Sequence, residues 1–403
     1  MSQRHHFHGL ALAISAASSA WATWAVESPS IELADGVRFT PSLQIHERYD
    51  DNFRAVEEHV ESSWITTVSP TFTLKAEGHK SHFELKYRTD SEIVHSSHDD
   101  DNTDHYLTAE AALQFDVRHR LKLNAGYQRI EQIDSENSDN YAGDRPNNTS
   151  NDENDKYSII SAGALYSFGA RGARGQIDLG LKHEKLRYQN RNHVNDDLER
   201  ESTTLNSVFY VRVAPKTRAL MEARYTDHNY LSYDARNSEN LALLGGLTWE
   251  ATARTTGTVK IGGEKKRFEE SGIDDMSTSM WEVGIDWKPR SRSTFSLATR
   301  QAIDENYESG IGASAVKSTS TTLDWKHDWS ARLSSKTGYT RSEREYQDYD
   351  RDDDFDAFEL GLTYKLRRWL NVGIGYKYAS NDSSRVGESY DRNIYLFSIT
   401  AGL

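Results

Sequence analysis

The chain has no cysteine in its 403 residues and only 6 prolines. Without cysteine there are no disulfides and no thiolate metal sites. No Pro/Gly-rich linker divides the sequence, so a string of soluble domains is not indicated. Basic charge is short as well: 48 Lys and Arg stand against 62 Asp and Glu, a formal net charge of -14. That balance argues against a nucleic-acid partner, which needs basic patches. Past the N-terminus there is no run of about 18 apolar residues, which excludes a transmembrane helix. Hydrophobic residues make up 36% of the chain and the mean hydropathy is -0.77, too little for a large buried core. What the chain does have is aromatic residues: 11%, including 21 Tyr and 9 Trp, which separates it from a disordered polymer.

The N-terminus carries its own pattern. Arg4, flanked by His5, His6 and His8, precedes a small-apolar run from Gly9 to Ala22. Small residues at Ala20 and Ala22, or at Thr23 and Ala25, then supply a cleavage point. Residues 1–25 read as a secretory signal peptide, and the run is too short and too rich in Ala and Ser for an anchor helix. Its removal takes Arg4 away and moves the formal charge from -14 to about -15. Residues 26–36 are read as a short periplasmic segment, and 37–403 as one domain.

Within that domain the period is two. Phe83, Leu85 and Tyr87 alternate with Glu84, Lys86 and Arg88. Trp281, Val283, Ile285 and Trp287 alternate with Glu282, Gly284 and Asp286. Phe358, Leu360, Leu362, Tyr364 and Leu366 alternate with Glu359, Gly361, Thr363 and Lys365. This is the signature of half-buried strands. Eighteen such segments are expected. They start near Val37, Trp64, Ser81, Thr103, Arg120, Lys156, Gly175, Ser202, Thr217, Ser238, Thr255, Ser277, Ser293, Val316, Leu333, Asp356, Leu370 and Asn393. Most run for about nine to thirteen residues, the length of a tilted membrane-crossing strand.

The connections alternate between short and long. Residues 78–81, 118–120, 170–175, 214–217, 252–255, 288–292, 330–332 and 367–369 are short, basic, and free of Asp and Glu. Residues 96–104, 134–155, 190–201 and 346–356 are long and acidic. Tight turns on one side and longer loops on the other belong to a transmembrane up-and-down β-barrel, whose even strand number puts both termini on the short-turn, periplasmic side. Phe115, Tyr166, Phe168, Trp249, Trp287, Trp329 and Trp369 lie beside short turns. Trp64, Tyr106, Tyr188, Tyr230, Phe268 and Tyr378 lie near long loops. They suit two interfacial rings. The closing stretch fits too: Tyr395, Phe397, Ile399, Ala401 and Leu403 share one face, which lipid can cover. A soluble β-helix would need a short fixed repeat, and none is visible.

A barrel of this width has a polar interior. The residues expected to line it are Glu84, Lys86, Arg88, Lys122, Asn124, Gln128, Asp178, Lys182, Glu184, Arg212, Glu222, Arg224, Lys260, Glu264, Glu282, Asp286, Lys326 and Lys365. Their mixed charge suits a hydrated solute and equally a lumen closed by internal salt bridges.

No catalytic motif of the G-x-S-x-G, H-E-x-x-H or P-loop type occurs, and no enzyme activity, cofactor or metal site is expected. His95, His98, His105 and His193 have no spacing that demands a metal. Asp348, Asp350, Asp352, Asp354, Asp356 and Glu359 fall at calcium-loop spacing, but Asp353 stands where the turn glycine belongs, so a solvated acidic loop is the expectation. Such loops could bridge through divalent cations to lipid-A phosphates. Residues 147–150 match a glycosylation pattern in a polar loop and are assigned no role.

The stretches 46–54, 64–94, 104–128 and 247–269 together resemble the putative β-barrel porin 2 family of outer-membrane proteins. The resemblance covers nearly all of the chain after residue 25. It implies a part in exopolysaccharide or capsule export. Expected contacts are then outer-membrane lipids and lipopolysaccharide, polysaccharide, and a periplasmic polysaccharide-export protein at the basic turns. The alternatives are a general or sugar-selective diffusion porin, or a closed lectin- or adhesin-like surface barrel. The C-terminal strand departs from the usual outer-membrane insertion signal in ending on Leu403 and not on an aromatic residue.

Overall fold

Alternating apolar and polar side chains give each strand one face that needs shielding and one that needs water. Closing the sheet on itself supplies both and leaves no free edge. In the computed structural model, which describes residues 30–133, 154–190, 195–252, 254–305, 315–347 and 350–402, this is the solution adopted. A short β1 (Ile31–Ala34) is followed by β2 (Val37–Asp50), β3 (Ser63–Glu77), β4 (Ser81–Val94), β5 (Asn102–Gln114), β6 (His119–Gln132), β7 (Asp155–Phe168), β8 (Gly175–Tyr188) and β9 (Arg200–Ala214). Then come β10 (Thr217–Tyr230), β11 (Ser238–Thr252), β12 (Thr255–Phe268), β13 (Met276–Arg290), β14 (Ser293–Glu305), β15 (Ala315–Asp328), β16 (Leu333–Tyr346), β17 (Asp352–Arg367), β18 (Leu370–Ser383) and β19 (Tyr390–Gly402). Each strand from β2 onward pairs antiparallel with its sequence neighbours, and β19 pairs back onto β2 from Ile394↔Asp50 to Gly402↔Ser42, closing an 18-strand barrel.

The eighteen expected strands are all present, with starts within a few residues of those read from the pattern. Two corrections concern their extent. The barrel strands run for 13 to 16 residues, longer than most of the expected segments, and β17 and β19 begin at Asp352 and Tyr390, ahead of Asp356 and Asn393. Their polar ends lack apolar alternation, yet the ladder continues because each backbone N–H and C=O there still finds a partner. β1 was not foreseen. Its pairing with Val37, Arg38 and Phe39 continues the edge of β2 beyond the point where β19 ends. Gly36, at φ +73°, makes the turn, where a Cβ would meet the Glu77 carbonyl oxygen at 2.6 Å.

Connections between odd- and even-numbered strands after β2 alternate as expected. One short turn corrects the rule that these turns lack acids. Asp116 sits between β5 and β6 and accepts the backbone N–H groups of Arg118 (2.7 Å) and His119 (2.8 Å). Those two donors hold its carboxyl below the ordinary carboxylate range.

The outer face carries Leu107, Leu123, Ile160, Leu181, Leu205, Phe209, Leu243, Ile261, Ile374 and Phe397, all exposed in the isolated chain. At the short-turn end Trp287, Phe295 and Trp325 pack in a row across three strands, with centroids 5.4 and 5.9 Å apart, Phe295 stacked on Trp325 and tilted to Trp287. At the long-loop end Tyr49 packs on Trp64 and on Tyr395. The long-loop ring is smaller than expected, however. Tyr106, Tyr188, Tyr230 and Phe268 have the parity of the inner face. Tyr106 donates to Asp104 beneath the Arg88 guanidinium, and Tyr230 is only 2% exposed. Proximity to a loop placed them at the right height but could not decide their side.

The acidic stretch around 350–359 is also corrected. Most of it is the outer half of β17, not a loop. Arg341 pairs with Asp354 (3.0 Å) and Asp356 (3.1 Å), while Asp353 is held by Arg351 (2.8 Å). Residues 1–29, His193, 147–150, Asp348 and Leu403 lie outside the described residues, as does most of 134–155.

Candidate functional site

The inner wall is where the two faces of the pattern converge, and its chemistry differs between the two ends. All eighteen residues named from the sequence occupy inner-face positions in the strand register. The structure brings four of them into a single cluster. Arg224 on β10 pairs with Glu222 (2.6 Å) and reaches Glu282 on β13 (2.9 Å). Lys260 on β12 pairs with Glu222 (2.9 Å) and Glu282 (2.5 Å). These side chains span β11 because its inner face there offers only Ala242, Leu244 and Gly246. Both carboxylates are nearly sealed from solvent.

Above this quartet, toward the long loops, the wall departs from a simple cylinder. The β13–β14 ladder runs from Arg290↔Ser293 to Trp281↔Gln301 and stops. β13 goes on pairing with β12 to Met276↔Lys266, and β14 goes on pairing with β15 to Glu305↔Ala315. The end of β14 has therefore slid inward across the inner faces of β10–β13. Ile303 donates its backbone N–H to Glu264 (2.9 Å), and Ala302 packs with Ala242, Leu244 and Met280. Glu305 pairs with the fully buried Lys266, accepts from Tyr230 Oη (2.8 Å), and lies 3.2 Å from His228 Nε2. His228 Nδ1 in turn lies 2.8 Å from Ser202 Oγ. This Ser–His–Glu chain resembles a hydrolytic relay in connectivity, but Lys266 already neutralises the carboxylate that would have to stabilise an imidazolium. What the arrangement does is fasten β14 inside the lumen.

Two more clusters fill the same half. Arg48 bonds Glu92 through both guanidinium nitrogens (2.7 and 3.0 Å), and Arg392 pairs with Asp50 (2.6 Å). Phe53, in the connection after β2, turns in onto Ile65 and Val94, while Arg54 reaches Asp100 (2.5 Å). Sequence reading missed Tyr230, Lys266, His228 and Glu305. A signal was present: Gln301 and Glu305 place polar groups at positions whose parity, set by Phe295 and Leu297, belongs to the lipid face.

The short-turn half is different. Lys75 pairs with Glu84 (2.7 Å) and Lys336 with Asp324 (3.2 Å), while Lys182 pairs with Glu184 (2.9 Å) further toward the long loops. Arg88 pairs with Asp90 (3.0 Å) nearer the long loops. Arg212 donates to the Arg171 carbonyl (3.2 Å), and Ser296 donates to Asp286 (2.6 Å). Among the described residues Lys86, Lys122, Lys326 and Lys365 find neither an ion pair nor a side-chain hydrogen bond, and all but Lys365 are exposed. Among the described residues no three His, Asp or Glu side chains are grouped so as to hold a metal ion, and His95, His98 and His105 engage Thr66, Asp101 and Tyr87 separately.

A family model described as putative beta-barrel porin 2 matches residues 38–402. No curated protein matches the chain. Among solved structures, the FrpB iron transporter of Neisseria meningitidis is 11% identical, with a TM-score of 0.47 over 85% of this chain; the match spans 62% of the FrpB chain. OpdQ of Pseudomonas aeruginosa is 10% identical, with a TM-score of 0.49 over 92% of this chain and 99% of its own. OpdO from the same organism is 15% identical, with a TM-score of 0.47 over 91% of this chain and 97% of its own.

Proposed function

Since the chain belongs to the putative beta-barrel porin 2 family, we propose that it is an outer-membrane channel through which exopolysaccharide or capsular polysaccharide leaves the cell. The observation that carries the channel reading is the closed barrel, with an apolar outer face and an inner face of charged and polar side chains that replace water contacts for a hydrated solute. Transport in this reading is passive, with the polymer pushed from the inner-membrane side and no catalytic step. The short turns face the periplasm and present Lys80, Arg118, Lys216, Arg254 and Arg368 to a periplasmic export protein, while the long loops face lipopolysaccharide. Deleting the gene should abolish or sharply reduce secreted polymer, measured as extracellular uronic acid and total sugar. Unchanged secretion would sink the export role.

A second reading is favoured by the inward end of β14 and the ion pairs beside it, which narrow the outer half as a selective diffusion porin would. Planar-bilayer conductance separates the two: sugar-selective permeation with normal polymer secretion supports the porin.

A further inference from the structure

The two halves of the lumen treat charge in opposite ways. In the outer half the inner-face cations Arg48, Arg224, Lys266, Arg300 and Arg392 each hold a carboxylate, as Lys260 does at mid-wall. In the short-turn half Lys86, Lys122, Lys326 and Lys365 hold none among the described residues. Arg120 and Arg218 spend their guanidinium donors on neutral acceptors, the Gly169 carbonyl (2.9 Å) and Gln176 Oε1 (2.5 Å). Cations even stand directly opposite one another across the ladder: Arg212 faces Arg218, and Lys326 faces Lys336. Like charges so placed cost stability, so folding alone does not favour them. Carboxylates do share this space. Glu84 and Asp324 are taken by Lys75 and Lys336, and Glu77 lies 3.9 Å from His82; Glu110, Asp178, Glu250, Asp286 and Asp328 remain, and Glu110 lies opposite Glu84. The cations left without a carboxylate outnumber them.

These cations lie on β4, β6, β9, β10, β15 and β17, around the circumference of the barrel. One small anion cannot touch them all, but a flexible chain bearing a charge on each repeat can. We infer that the short-turn half of the lumen is a binding chamber for a polyanionic polymer, with acidic sugar residues such as uronates as the recognised groups. Cationic walls with a low-dielectric surround raise the local concentration of such a chain and hold it by many weak contacts, each exchangeable for the next as the chain slides. Among the described residues, the inner-face cations of the outer half named above are each already held by a carboxylate.

The inference rests on the channel reading, and the test keeps the two apart. Purified barrel in a planar bilayer is exposed to polygalacturonate, and separately to dextran of matched length, from the short-turn side. In about 0.1 M KCl polygalacturonate should interrupt the current at a concentration at least about tenfold lower than dextran; at about 1 M KCl, where the screening length falls to roughly 3 Å, the preference should vanish. The variant Lys86→Gln/Lys122→Gln/Lys326→Gln/Lys365→Gln should conduct yet lose that preference. Equal block by the two polymers, or an unchanged variant, overturns the inference and leaves the channel reading intact. If the barrel passes no current, the channel reading fails, and calorimetry with the same polymers in nanodiscs decides the chamber alone. Polygalacturonate binding that the variant loses supports it; absence of binding overturns it.

Discussion

Lys266 and Glu305 show what a single pair does in this wall. The Lys266 side chain is fully buried, and its partner arrives from a strand that has left its own ladder to meet it. Removing one member leaves an uncompensated buried charge, so Lys266→Ala or Glu305→Ala should each destabilise the folded barrel by about 3–5 kcal/mol. Lys266→Met/Glu305→Met should cost less than either, because the two desolvation penalties leave together. Urea midpoints of the refolded barrel check both statements. A second residue-scale test uses neighbours on opposite faces. Leu107, exposed on the outer face at mid-strand, and Thr108, exposed on the inner face, sit side by side on β5. Leu107→Arg should cost about 2–4 kcal/mol in a bilayer and Thr108→Arg close to nothing. Equal effects would mean that lipid does not cover the outer face.

At the scale of elements, β11 and β12 leave no room for side chains at two inner-face positions of the wall where β14 enters. A Cβ at Gly262 would lie 1.8 Å from the Leu243 carbonyl oxygen, and one at Gly246 would lie 2.1 Å from that of Val259. Both obstacles are backbone and cannot rotate away. Gly245, next to Gly246 but on the outer face, has open space around its missing side chain. Gly262→Ala should therefore cost about 1–3 kcal/mol through forced backbone movement, whereas Gly245→Ala should be neutral or slightly stabilising. Thermal unfolding of the two variants in one detergent compares them. The alternation of these strands is plain in the sequence, but the closeness of their backbones is not, because glycine marks either a gap or a contact equally well.

For the whole molecule, the end of β14 is the part of the barrel wall that also occupies the lumen. Its fastening depends on Tyr230 and Lys266, both outside the β14–β15–β16 run that carries it. Loosening it with Tyr230→Phe/Glu305→Ala should raise single-channel conductance while the β2–β19 closure persists. A variant that refolds with wild-type conductance would show that β14 does not limit passage. Much of the lumen was legible beforehand: period-two alternation assigns Glu222, Arg224, Lys260 and Glu282 to one face. That they form one buried quartet was not, since β11 lies between β10 and β12 in sequence and the long charged side chains meet only by reaching across its uncharged inner face of Ala242, Leu244 and Gly246.

The sequence by itself determined the strand count, the alternating short and long connections, and the face that side chains take along the middle of each strand, because a strand's side-chain period is set by the local backbone and needs no partner. It left open whether Tyr106 or Tyr230 looks to lipid or water near a strand end, whether residues 352–356 extend a strand, and where β14 goes after Gln301. Only the tertiary structure decided these. At the strand ends the apolar signal fades, and pairing across the barrel, through buried charge and van der Waals contact between distant strands, takes over from the local pattern.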